Sequence, residues 1–105
     1  MSAYIISRVS ITDRESMTGY MAQAPASVLA HGGKYLVRTG DITVLEGEAP
    51  YERVVVLEFP AQADALAWYH GDAYRALRDV RWRSAETHII CVPGEAPAQL
   101  APRTA

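Results

Sequence analysis

The chain has 105 residues, a size at which one domain buries roughly 65% of the surface its unfolded form exposes. Half of its residues are hydrophobic and 21% are charged, the balance of an ordinary soluble domain, and a net charge of −2 excludes strong generic attraction to nucleic acid. Cys91 is the single cysteine, which excludes an intrachain disulfide and any multi-cysteine metal site and leaves a buried structural thiol as its expected role.

Near the amino terminus no basic stretch precedes an apolar core, and no apolar run approaches the ~20 residues needed to span a bilayer. The expectation is a cytoplasmic protein without a signal peptide, a membrane segment or a nucleic-acid partner. Ala3 to Ile11 reads as a first strand, apolar on both parities apart from Arg8 and the serines. Thr12 is the expected helix cap, with Glu15 completing a capping box. Met17, Tyr20, Met21, Ala24, Val28 and Leu29 then supply the i, i+3, i+4, i+7 stripe of a core-facing helix. Pro25 lies within that stripe and is expected to kink or split the helix, since it removes a hydrogen bond and clashes with the preceding turn.

His31-Gly32-Gly33 ends this helix, with a glycine free to adopt the left-handed cap conformation. Lys34 to Arg38 starts a second strand, which Ile42 to Leu45 is expected to continue across a bulge at Thr39-Gly40-Asp41. Glu46 to Pro50 forms a polar turn. Arg53 to Tyr74 is the stretch around which the chain is organised. Val54 to Leu57 and Phe59 form a third strand, and Pro60 ends it, having no N–H for the ladder. Ala63, Leu66, Ala67, Tyr69, Tyr74 and Leu77 recur at helical spacing. The second helix starts near Ala61, breaks or continues at His70-Gly71-Asp72, where Asp72 can cap a restart, and ends near Trp82. Glu86 to Val92 is the fourth strand. Residues 1–94 therefore form the domain, and 95–105 are expected to be a disordered or partner-contacting tail.

This order is α+β, the ferredoxin-like βαββαβ pattern: a four-stranded antiparallel sheet with both helices on one face. A wet second face should alternate apolar and polar residues. Ile5 and Ile6, Val54 to Leu57, and Ile89, Ile90 and Val92 are instead apolar on both parities. About six exposed aliphatics at ~1.5 kcal/mol each would forgo roughly 9 kcal/mol of burial, so a face-to-face homodimer is expected.

The segments Gly32 to Gly40 (GGKYLVRTG), VLEG around Leu45, Arg53 to Pro60 (RVVVLEFP), Ala67 to Arg81 (AWYHGDAYRALRDVR) and Val92 to Gly94 (VPG) resemble the family named domain of unknown function 1330. The resemblance covers Tyr4 to Gly94 and implies a dimeric α/β barrel, a superfamily that includes antibiotic-biosynthesis and haem-degrading monooxygenases, muconolactone isomerase and chlorite dismutase. It implies no activity, because the family has none established and fold does not fix chemistry. Where the family usually reads Phe-Pro-Ser, Ala61 stands in place of serine, a missing cap that costs about 1 kcal/mol of helix stability.

Candidate chemistry rests on polar residues inside apolar strands. Arg8, Arg38, Glu58 and His88 each interrupt such a run. Arg8 shares a parity with Tyr4 and Ile6, and Glu58 with Val54 and Val56; if those faces turn toward the dimer barrel, the four meet in it or at its rim. They then form an anion site with Glu58 or His88 as general base, or a structural Arg–Glu pair that fixes the register of the dimer. A second cluster comprises Trp68, Tyr69, Tyr74, Arg81 and Trp82. Tyr69 and Tyr74 flank the His70-Gly71-Asp72 break, where a helix axis can bend around a cavity for a small carboxylate or carbonyl compound. His31, His70 and His88 have no paired metal-ligand spacing, Gly32-Gly33 is a turn and not a phosphate loop, and Ser7, Ser10 and Ser84 have no nucleophile-elbow context.

The expectation is a homodimer binding a small anionic or carbonyl-bearing metabolite without cofactor or metal, through Arg38, Arg81, Tyr69 and Tyr74. Glu58 or His88 would move protons in a cofactor-independent isomerisation or oxygenation. The alternatives are a non-catalytic binding or structural dimer and a haem or metal enzyme with His88 as ligand.

Overall fold

A computed structural model describes residues 2–48 and 51–94. The elements are β1 (Ala3–Ile11), α1 (Arg14–Leu29), β2 (Lys34–Thr39), β3 (Arg53–Phe59), α2 (Gln62–His70), α3 (Asp72–Ser84) and β4 (Ala85–Pro93). The strands form one antiparallel sheet in the order β2-β3-β1-β4. With α2 and α3 as the two parts of the second helix, this is the α+β ferredoxin-like arrangement. The tail expected at 95–105 lies outside the described residues.

Strict alternation along β1 builds the core, with Ala3, Ile5, Ser7, Val9 and Ile11 all buried. Ile5 is opposite Leu57 on one side and Cys91 on the other. Against this face pack Val28 of α1, Ala65 and Trp68 of α2 and Tyr74 of α3, together with Phe59. The rings of Trp68 and Tyr74 lie 4.2 Å apart at their centroids. The buried Trp68 indole donates to Ser27 Oγ at 3.0 Å, and that hydroxyl donates to the Ala24 carbonyl at 2.7 Å, so the polar atoms of this contact are satisfied.

Several local expectations are corrected. The cap of α1 is Asp13, not Thr12: Asp13 is extended and accepts from Ser16 N at 3.2 Å and Ser16 Oγ at 2.8 Å. Thr12 N and Asp13 N both donate to Ser84 O, which ties this turn to the end of α3 and sets the helix start one residue later. Pro25 neither splits nor ends α1, which runs on to Leu29. Met17 and Ala24 before it and Val28 after it are buried, so both parts of the helix are held against the core. Leu29 leaves the stripe and is exposed.

Ile42 to Leu45 does not continue β2; the segment is irregular, and Leu45 is 91% exposed. The β2 irregularity falls between Tyr35 and Val37, not at Gly40. Asp72 is the first residue of α3, and its cap is Gly71, in an extended conformation and without a side-chain bond. Ala61 likewise caps α2 with no side-chain bond, as its methyl group requires. Gly32 takes φ +77°, the left-handed conformation that closes α1, and its N–H bonds to Leu29 O at 3.0 Å.

A cavity between the sheet and the helices

The helix-side face of the sheet is not filled completely. Between it and α1 and α3 lies an open-mouthed cavity of about 60 Å³, enough for two waters or a group of a few heavy atoms. Val9, Val55, Met17 and Met21 supply apolar walls. Its polar lining consists of Arg38, Arg53, Arg81, Tyr20, Tyr35, Tyr74 and Ser7, with no acidic side chain and no histidine among the described residues.

Arg81 is the deepest charge, only 4% exposed. It lies two turns beyond Tyr74 on α3, so both side chains leave the same face of the helix. Its Nε donates to the Tyr74 hydroxyl at 3.1 Å, and that hydroxyl lies 2.5 Å from the hydroxyl of Tyr20 on α1. Arg81 Nη2 is buried and has no hydrogen-bond partner among the described residues, and no carboxylate there forms an ion pair with this guanidinium. An unpaired guanidinium donor buried here carries a desolvation penalty until an anion meets it.

Burial pushes the Tyr20 hydroxyl pKa far above its ordinary value, with the neighbouring Tyr74 adding to the effect. Tyr35 is also raised, chiefly by burial, although Arg38 opposes the shift. Both phenols are therefore neutral donors at physiological pH, not bases.

Arg38 reaches this cavity because of the irregularity in β2. Lys34 pairs with Glu58 and Tyr35 with Leu57, but Val37, not Leu36, pairs with Val56. Simple alternation from Lys34 would put Arg38 on the open face; one extra residue at Leu36 returns it to the helix side, opposite Val55. Its guanidinium lies 5.0 Å over the Tyr35 ring.

The sheet therefore divides the strand residues singled out in the sequence. Arg8, Glu58 and His88 lie on the open face and do not join Arg38. Glu58 accepts from Lys34 Nζ at 3.2 Å and from the Tyr4 hydroxyl at 3.1 Å, and the Lys34 contact chiefly holds its carboxyl below the usual range. Tyr51 lies beneath the Arg8 guanidinium at 5.1 Å and beside the His88 ring at 5.3 Å. Neither Glu58 nor His88 can act as a base in the cavity, because the backbone of the sheet stands between.

Tyr74 and Arg81 do meet, with Tyr74 fully buried. Tyr69 does not line the cavity; it packs on Trp68 and Tyr74 and carries Arg78 5.1 Å over its ring. Sequence reasoning passed over Arg53, Tyr20 and Tyr35. Arg53 shares its parity with Leu57 and Phe59, and Tyr20 lies in the stripe of α1, so both carried a readable signal. Tyr35 depended on the β2 register.

Among the described residues, no group of three or more His, Cys, Asp or Glu could hold a metal ion, and no helix is long and apolar enough to cross a membrane.

The family described as domain of unknown function (DUF1330) matches residues 2–95. No curated protein matches the sequence. Among solved structures, a protein of unknown function from Rhodopseudomonas palustris superposes with TM-score 0.75 at 16% identity, covering 91% of this chain and 84% of the other. A dabb family protein with a ferredoxin-like fold from Mesorhizobium loti gives TM-score 0.66 at 12% identity, covering 90% and 98%. A cofactor-independent oxygenase from Streptomyces nogalater gives 0.62 at 8% identity, covering 96% and 98%. At such identities the likeness is one of fold alone.

Proposed function

The chain belongs to the domain of unknown function family DUF1330, and from that premise we propose that it binds a small anionic metabolite in the cavity between sheet and helices. One observation carries the reading: a guanidinium buried to 4% exposure, whose Nη2 has no partner and whose cavity has no acidic group among the described residues. Arg81 and Tyr20 meet the anionic group, Tyr74 orients Arg81, and Arg38 draws the ligand to the mouth. Since the Tyr20 hydroxyl keeps its proton, its part is to donate to the ligand oxygen. Titration of the protein with butyrate, followed by calorimetry, tests this. Saturable binding that is lost in Arg81→Met supports the reading, and equal binding by both proteins refutes it.

We further propose a homodimer formed through the open face of the sheet. Ile6 lies there between Val56 and Ile90, and Ile90 is 56% exposed. A second copy would bury this patch, and a protein of ferredoxin-like fold from Bacteroides fragilis is described as dimeric. Glu58 with Lys34 and Tyr4, and His88 with Tyr51 and Arg8, would then fix the register of the two sheets. Ile90→Glu is expected to yield monomers by light scattering. A wild-type monomer at micromolar concentration would overturn this assembly.

A further inference from the structure

We infer that the cavity selects ligands with two anionic ends, one held at depth by Arg81 and one at the mouth by Arg38 and Arg53. This rests on the anion-binding reading above and narrows its ligand class to small organic dianions.

The mouth has a charge excess that one deep anion leaves unanswered. Arg38 is exposed and Arg53 half-buried, both border the cavity, and neither forms an ion pair among the described residues. Their spacing follows from the register. Arg38 is opposite Val55, two residues along β3 from Arg53, so the two arginines are diagonal neighbours on one face. Such neighbours have Cα atoms roughly 7–8 Å apart, within reach of two guanidinium groups closing on one carboxylate. The Tyr35 ring, 5.0 Å from the Arg38 guanidinium, orients one of the pair.

Volume sets the shape of the ligand. About 60 Å³ admits one carboxylate and a carbon or two, so the rest of any larger ligand must extend toward the mouth. There it meets apolar walls at Val55 and Met21 and then the two arginines. A carboxylate on a short aliphatic spacer with a second anionic group at its far end fits this sequence of environments. A simple monoanion leaves the outer pair unanswered.

Glutarate, its monomethyl ester and butyrate separate the possibilities in calorimetric titrations of the full-length protein. Glutarate is expected to bind about tenfold or more tighter than its monoester, the range expected of hydrogen bonds to a charged group. The mouth arginines meet solvent, so this preference should shrink as salt rises. In the double variant Arg38→Gln/Arg53→Gln the ratio of glutarate to monoester affinity should fall toward one. If glutarate and the monoester bind equally to the wild type, the two-ended ligand is refuted while the deep anion site stands. If none of the three binds, both readings fall together. A preference for glutarate that survives the double variant would also overturn the assignment of the outer pair.

Discussion

Replacing Arg81 by methionine separates a ligand-binding arginine from a structural one. The guanidinium is 4% exposed, makes one described bond (Nε to the Tyr74 hydroxyl, 3.1 Å) and leaves Nη2 without a partner among the described residues. Losing the Nε bond costs about 1.5–3 kcal/mol, whereas removing an unsatisfied buried donor returns about 1–3 kcal/mol, more when it is charged. Methionine fills a similar volume with apolar atoms and strands no partner, because the Tyr74 hydroxyl keeps its contact with Tyr20 at 2.5 Å. The two nearly cancel, so the balance lies between a loss of about 2 kcal/mol and a gain of about 1.5 kcal/mol, at roughly 4–8 °C of Tm per kcal/mol for a domain of this size. Thermal and urea unfolding at pH 7 and at one fixed protein concentration would measure it, since the stability of the proposed dimer would depend on concentration. A loss of about 3 kcal/mol or more is what breaking a buried charge pair costs. That result would mean that Arg81 is a structural tie and would refute the inference from its free Nη2.

The structure makes three further predictions. At Gly33 an added Cβ would lie 2.6 Å from Phe59 Cε1 and 2.7 Å from Val28 Cγ1, both in fully buried side chains, so Gly33→Ala should cost about 1–3 kcal/mol in urea unfolding. An unchanged midpoint would show that the α1–β3 contact yields. Asp13 is held below its ordinary value of 3.8 by the Ser16 contacts, so its capping contribution is complete above about pH 4 and is lost as pH falls through its lower folded value. Asp13→Ala should therefore lower Tm at pH 7 and do so less at pH 2; an equal loss at both would contradict the charged cap. Tyr20 has a raised folded pKa, so its contribution is complete below the unfolded value of 10.0 and is lost as pH rises beyond it. Alkaline destabilisation, measured from pH 9 to 11, should be shallower in Tyr20→Phe by at most about 1.4 kcal/mol per pH unit. An unaltered slope would exclude a buried neutral phenol.

The order of elements was legible in the sequence because it depends on neighbours along the chain. The apolar run from Val54 to Phe59 makes a strand, Pro60 stops it, the stripe from Met17 to Val28 makes a helix, and Gly32 turns it. Those local signals, with apolar residues on both parities of the strands, were enough for the βαββαβ fold and its two-faced sheet. They misplaced the helix cap by one residue, because Ser84 at the far end of the domain takes the N–H groups of Thr12 and Asp13. Meeting of Tyr74 and Arg81 was partly legible too, as residues two turns apart on one helix.

Which residues share the cavity was decided by tertiary structure. A strand's faces alternate at every residue, so one extra residue at Leu36 moved Arg38 from the side of Glu58 and His88 to the side of Arg81. No local pattern distinguishes a regular strand from one with that extra residue; the pairing of Val37 with Val56 does. The same division by the sheet put the expected bases on the far face and brought Tyr20, from a helix more than fifty residues away, within 2.5 Å of Tyr74. Propensity and periodicity act over a few residues, whereas a binding site is a coincidence of distant ones, and only the packed chain supplies it.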